Sequence, residues 1–190
     1  SCDQNSDFKA QGLYTSDVDG LLIEGNVFDH NGWNEDVEGA CATMYTHNMY
    51  LGASRLVVRD NLILRASSQG VKMRSDATRH CTELLFENNF VFDGEIGIGF
   101  GGNEGVDYRF EDVTVRRNVF SETGRSDPQG RGLAWMLGLQ DHDDALVEEN
   151  YFLHQPWHTN AFGLNIAGNT ARNVVVRRNT FHGLQQRSLW

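Results

Sequence analysis

The chain holds only two prolines and three cysteines among 190 residues. Scarce proline beside twenty glycines suits an all-β chain with tight turns and argues against a disordered, proline-rich one. Cys2, Cys41 and Cys81 are odd in number and unrelated in spacing. That excludes a CxxC metal signature and speaks against a disulfide framework, so cysteine usage fixes no compartment. Positive charge is short as well: 16 Lys and Arg face 26 Asp and Glu, a net charge of −10. A chain of this sign lacks the basic surface that phosphate backbones demand, so general binding to DNA or RNA is not expected. No apolar run approaches the roughly 18 residues of a membrane span. Ser1 to Asp7 has no basic-then-apolar character, so no signal peptide is expected in this stretch, although a processed secreted chain would look the same. A 3.6-residue period is nowhere sustained, which leaves little room for helices.

What is present is a repeat. Six times an apolar strand runs into an Asn with an apolar residue two positions on: Asn26, Asn61, Asn89, Asn118, Asn150 and Asn179, at spacings of 35, 28, 29, 32 and 29. A fixed motif at variable spacing places the insertions in loops. Three residues before each Asn stand Ile23, Val58, Phe86, Val115, Val147 and Val176. Five before stand Leu21, Leu56, Leu84, Val113, Ala145 and Val174, and two after stand Phe28, Ile63, Val91, Phe120, Phe152 and Phe181. Period-2 apolar columns are the buried face of a strand. Asn fits a tight corner, where it tolerates a left-handed backbone and bonds its neighbours above and below.

Two before each Asn the charge alternates without exception: Glu24, Arg59, Glu87, Arg116, Glu148, Arg177. Stacked about 4.8 Å apart, each would face opposite charges on adjacent coils, worth roughly 0.2–1 kcal/mol per pair. A second strand per coil also aligns. Its inward members are Leu13, Met49, Val71, Ile98, Trp135 and Leu164, and its outward row is Tyr14, Tyr50, Lys72, Gly99, Met136 and Asn165.

On these columns the sequence resembles the pectate-lyase-like superfamily, from about Gly12 to Phe181. The expectation is an all-β, right-handed parallel β-helix solenoid of about six coils, as a single domain over residues 1–190. The superfamily contains polysaccharide lyases, epimerases, glycoside hydrolases, phage tailspikes and non-catalytic sugar-binding repeats, so the fold does not choose the chemistry. Solenoid ends need caps. No amphipathic helix precedes Leu13 and only a short tail follows Phe181, so further chain or a partner is expected to cover the ends.

The chain is acidic, yet Arg55 to Arg79 carries Arg55, Arg59, Arg65, Lys72, Arg74 and Arg79 against Asp60 and Asp76 alone. In register, Tyr50 lies beside Lys72, His47 stands three residues upstream, and the next coil is bare at Gly97, Gly99, Gly101 and Gly102. Glycines in a strand mark close backbone approach, here read as the floor of a sugar groove. Tyr14, Tyr50, Trp33 and Trp157 offer rings for sugar faces. A uronate polysaccharide is cleaved by β-elimination with a base, an acid and a neutralised carboxylate. Lys72, Arg74, Tyr50 and His47 supply these parts, with Gly97, Gly99, Gly101, Arg65, Trp33 and Asn165 as substrate contacts. The resemblance implies Lys72 as base, Arg74 as its partner, and Ca2+ as a cofactor.

The same basic pair also fits a solvated strand surface, and the glycines also fit a tight corner. Asp141, Asp143 and Asp144 flank His142 in a turn that could bind Ca2+ through oxygens or simply be solvated. The insertions Asn31–Thr46 and Arg125–Gly130 are expected as groove walls. An Asp-Pro-His-Asp string and a hydrolase set of Asp residues with Gly-His-Gly are both missing. A hydrolase would need Asp141, Asp143 and Glu104 within roughly 5–10 Å. The expectation is a secreted, surface or periplasmic β-helix that cleaves an acidic polysaccharide. Its rivals are a non-catalytic glycan-binding segment of tailspike or adhesin type and a glycoside hydrolase.

Overall fold

The computed structural model describes residues 10–76, 81–101, 109–168 and 171–185. The first coil runs through β1 (Gln11–Tyr14), β2 (Val18–Glu24) and β3 (Val27–Asp29). The second repeats it as β4 (His47–Leu51), β5 (Ala53–Arg59) and β6 (Leu62–Leu64), the third as β7 (Gln69–Met73), β8 (Cys81–Glu87) and β9 (Phe90–Phe92). The fourth is β10 (Ile96–Phe100), β11 (Phe110–Arg116) and β12 (Val119–Ser121). The fifth is β13 (Leu133–Gln140), β14 (His142–Glu148) and β15 (Tyr151–Leu153), and the sixth β16 (Asn160–Ala167), β17 (Arg172–Arg177) and β18 (Thr180–His182). Corresponding strands stack into three all-parallel, six-stranded sheets. This is an all-β parallel β-helix of about six coils.

The three apolar columns fill its interior. Leu56, Val58, Phe86, Val115, Val147 and Phe152 are fully buried. Phe120, Phe152 and Phe181 stack face to face across three coils, with centroids 5.0 and 4.7 Å apart. Apolar burial, at roughly 25 cal/mol per Å², is complete in the four middle coils and partial in the two end ones, where Leu21, Phe28, Val174, Val176 and Phe181 remain partly exposed.

The corners are made by backbone that sequence does not advertise. In every coil the residue just before the repeated Asn has positive φ: Gly25, Asp60, Asn88, Arg117, Glu149 and Arg178. The expectation that the Asn itself takes the left-handed turn is therefore corrected by one residue. The Asn column instead lies inside the corner and bonds from coil to coil. The backbone N–H of Asn61, Asn89 and Asn118 donates to the side-chain oxygen of the next Asn at 3.1, 2.9 and 2.9 Å. Their Nδ2 groups reach back to the carbonyls of Ile23, Val58 and Phe86. A left-handed Arg or Glu costs on the order of 1 kcal/mol. The ladder offsets that by pairing backbone groups that the bend strips from the sheets.

The alternating charges sit on the outer face of the second sheet. Glu24 pairs with Arg59 at 2.6 Å, Glu87 with Arg116 at 2.9 Å and Glu148 with Arg177 at 2.8 Å. In the first sheet the register of five coils is as expected, and the fifth is corrected. Leu137, not Trp135, lies level with Ile98 and Leu164, and Gly138, not Met136, lies level with Gly99 and Asn165. Met136 is fully buried. Trp135 stands two residues earlier, packs against Phe162 at 5.7 Å, and donates its indole N–H to Asn160 Oδ1 at 3.2 Å. The indole needs a polar partner, which the interior does not offer.

Cysteine chemistry also differs from expectation at one site. Cys41 is disulfide-bonded, whereas Cys81 is a free, buried thiol. Cys2 lies outside the described residues.

Candidate functional site

The outer face of the first sheet carries two rows. One is Gln11, His47, Gln69, Ile96, Trp135 and Phe162, the other Tyr14, Tyr50, Lys72, Gly99, Gly138 and Asn165. Tyr50 and Lys72 are direct neighbours on adjacent strands, and Lys72 is level with Gly99. Strand pairing does this: residues 22 and 27 positions apart become adjacent because each coil returns to the same height.

Lys72 Nζ donates to the carbonyl of Gly101 at 2.7 Å. Burial, and then the positive charge of Arg74, lower its pKa from 10.5 to about 8. Desolvation disfavours the ammonium and a like charge adds to it. Near neutral pH an appreciable fraction of this amine is uncharged, with a lone pair free beyond its bond to Gly101.

His47 is only 4% exposed. Burial, then Lys72, then Arg131, bring its pKa down to about 3. Its Nδ1 accepts the backbone N–H of Gln69 at 3.3 Å, while its own backbone N–H donates to Gln11 Oε1 at 3.0 Å. Nδ1 is thereby the acceptor and the proton resides on Nε2. His47 is a neutral hydrogen-bond donor at ordinary pH, not an imidazolium acid. Its ring lies 5.8 Å from that of Tyr50, and Tyr50 lies 5.6 Å from Tyr14 at a 31° tilt. Tyr14 is 58% exposed, so the two tyrosines form an open ledge beside Lys72.

His47 also ties the stability of the fold to pH. Its folded pKa of about 3 lies below the unfolded value of 6.5, so the folded state binds fewer protons. Stability present above pH 6.5 is lost as pH falls toward about 3, by at most about 1.4 kcal/mol per pH unit. His142, buried and likewise lowered, chiefly by desolvation, acts in the same direction. Urea unfolding of His47→Gln at several pH values should show a shallower decline than wild type; parallel curves would refute the assignment.

The glycines are not an open floor. Gly97 faces inward, where an added Cβ would strike the Met136 carbonyl at 2.4 Å and approach Phe120. At Gly99 a Cβ would meet Gln69 Oε1 at 2.2 Å, and at Gly101 it would meet Gln140 Oε1 at 2.3 Å. Both positions are buried. These glycines make room for glutamine side chains of the neighbouring coils. Asn165 lies in the Lys72 row and is buried.

The basic stretch is also divided by the fold. Arg55, Arg59 and Arg65 ion-pair with Asp19, Glu24 and Asp29 of the first coil. Arg65 therefore sits at the end of the third sheet, where its carbonyl accepts the Trp33 indole N–H at 2.8 Å, and neither residue shares the Lys72 face. Arg74 follows Lys72 on that face. Asp143 is committed to Arg172 and Asn173, and Asp144 has positive φ. Among the described residues, no group of three or more His, Cys, Asp and Glu is arranged to hold a metal ion. Arg79, Gly102 and Glu104 lie outside the described residues.

Two residues escaped the sequence reading. Glu95, fully buried, ion-pairs with Arg131 and accepts Gln129 Nε2 at 2.8 Å. Burial raises the Glu95 pKa and the Arg131 guanidinium opposes that rise. Gln129 also donates to the Ser67 carbonyl, and Arg131 to Ser68 Oγ. From the other side Thr43 N donates to Ser67 Oγ at 2.8 Å and Thr46 Oγ1 to the same oxygen at 2.6 Å. Both long insertions thus converge on Ser67 and Ser68, just before Gln69, and wall the site on the side of His47. Their polar composition was legible; the buried carboxylate that pins one of them was not.

Comparison with protein-family models, with curated proteins and with solved structures gives no match to this chain.

Proposed function

We propose that the chain is a carbohydrate-active β-helix, acting outside the cell or at its surface, that cleaves an acidic, uronate-containing polysaccharide by β-elimination on the outer face of its first sheet. The observation that carries this reading is Lys72. It is an amine with pKa about 8, in register with Tyr50 and two residues from Arg74. The resemblance to pectate-lyase-like chains, carried by the repeated columns, points the same way.

In the proposed reaction the neutral Lys72 Nζ removes the proton at C5, next to the substrate carboxylate. Arg74 neutralises the charge that develops on that carboxylate, as a guanidinium fork suits. The electron pair forms a C4–C5 double bond and expels the glycosidic oxygen at C4. Tyr50 gives that oxygen its proton. His47 donates a hydrogen bond through Nε2 and transfers no proton. The Tyr14–Tyr50 ledge supports a sugar ring.

The test is incubation with a panel of uronate polysaccharides, following the ultraviolet absorbance of the unsaturated product. Growth of that absorbance, lost in the Lys72→Ala, Arg74→Ala double variant, is the expected result. Activity that survives both substitutions sinks the site. The exposed ledge alone favours a second reading, glycan binding without cleavage. It would be revealed by binding to the same polysaccharides with no unsaturated product.

A further inference from the structure

The outer face of the second sheet carries a ladder of its own. Leu22, Val57, Leu85, Thr114, Leu146 and Val175 are level across β2, β5, β8, β11, β14 and β17. Five of six are aliphatic on a face turned to solvent. The end members Leu22 and Val175 are 54% and 48% exposed. Thr114, the smallest, leaves space. Two shallow hollows of about 380 and 350 Å³ adjoin it, sharing Thr114 and Asp112. The alternating charged column runs alongside, two residues away.

We propose that a second copy of this chain docks on this face in antiparallel orientation, coil one against coil six. Rotation about an axis along the strands sets each coil against its mirror number. The charged column then faces its own reverse. Glu24 meets Arg177, Arg59 meets Glu148 and Glu87 meets Arg116, so all six contacts unite opposite signs. In the apolar row Leu22 meets Val175, Val57 meets Leu146, and Leu85 meets Thr114, where the hollows receive its isobutyl group.

The parallel alternative loses this match. It would turn the strands end for end and lay the charged column over the apolar row, Arg59 on Val57, Glu87 on Leu85 and Glu148 on Leu146, so that no charge meets an opposite one across the interface. Rim charges contribute little affinity but choose register and orientation. Each strand of this sheet is straight only between two left-handed corners, Arg55 and Asp60 in the second coil; four residues at about 3.3 Å each and six rungs at about 4.8 Å give a face of roughly 380 Å² per partner. That is below the standard size of a specific interface and fits a weak dimer with a dissociation constant of roughly 0.1 mM. The first sheet, with Lys72, stays open.

Sedimentation and cysteine capture test the proposal on the full chain. Wild type should pass from monomer to dimer between roughly 10 μM and 1 mM. Leu146→Glu, an outward position that leaves the interior untouched, should raise the dissociation constant by about tenfold or more. A Val57→Cys chain mixed with a Leu146→Cys chain should form a disulfide-linked pair on mild oxidation. Val57→Cys alone should not, because its two copies stand about 14 Å apart. A chain that stays monomeric to about millimolar concentration, or Val57→Cys that captures itself while the mixture does not, overturns the proposal.

Discussion

Asn118→Ala should lower unfolding stability by about 4 kcal/mol, the largest effect expected of any side chain outside the apolar interior. Asn118 is fully buried. Its side-chain oxygen accepts both the backbone N–H and the Nδ2 of Asn89, each at 2.9 Å. Its own Nδ2 donates to the carbonyls of Phe86 and Arg116 at 2.9 and 3.0 Å. Alanine leaves the Asn89 N–H and the Phe86 carbonyl buried without partners, at roughly 1–3 kcal/mol each, and opens a small cavity. Asn118→Asp restores the acceptor but not the donor, and buries a charge, so it should be no better. Asn26, in the same column but exposed, is the internal control. Its replacement by alanine should cost under about 1 kcal/mol. Urea unfolding followed by circular dichroism reads both, and equal losses at the two positions would contradict the ladder.

Lys72→Ala should reduce kcat/KM on a uronate polysaccharide by about 10²–10⁴-fold, the range for loss of a general base. Lys72→Arg keeps the positive charge but cannot lose its proton near neutral pH, so it should bind substrate and still fail to turn it over. In wild type the base must be uncharged. Activity therefore rises as pH passes upward through about 8, the value that burial and Arg74 impose, and falls about tenfold per unit well below it. Arg74→Gln removes the like charge and should move that limb to higher pH as well as weaken carboxylate binding. A pH profile flat across 6 to 9, or a Lys72→Ala enzyme with undiminished rate, would remove Lys72 from the mechanism. About these values the rate at each pH follows from the fraction of free amine alone.

What the amino-acid sequence reveals of this fold is what repeats in it. The inward columns, the Asn column and the alternating charges were legible because six copies of one period average away local accidents. The neighbouring of Tyr50, Lys72 and Gly99 came from the same register. The left-handed corners were not legible, since Arg117 and Glu149 occupy positive φ against their own preference and tertiary packing overrides it. Trp135 misleads because a large apolar side chain suggests the inward place that Leu137 holds. The better signal was small against large: Ile98-Gly99-Phe100 is echoed by Leu137-Gly138-Leu139. The glycine floor failed for a related reason. An absent side chain does not say what fills its place, and glutamines from adjacent coils do. Arg131 and Glu95 meet only because an insertion of irregular path returns across 36 residues, a distance that periodicity does not reach.

The strict alternation of Glu and Arg beside the Asn column also restricts how the stack can change length. Removing one whole turn, Asn61 to Asn89 for instance, would reconnect the amide ladder and the inward columns without a gap. It would also bring Arg59 next to Arg116, like against like. Removing or adding two turns keeps the sequence of signs intact. Growth and loss of this solenoid by duplication or deletion therefore carry a parity rule, written in surface charge: turns are exchanged most readily in even numbers.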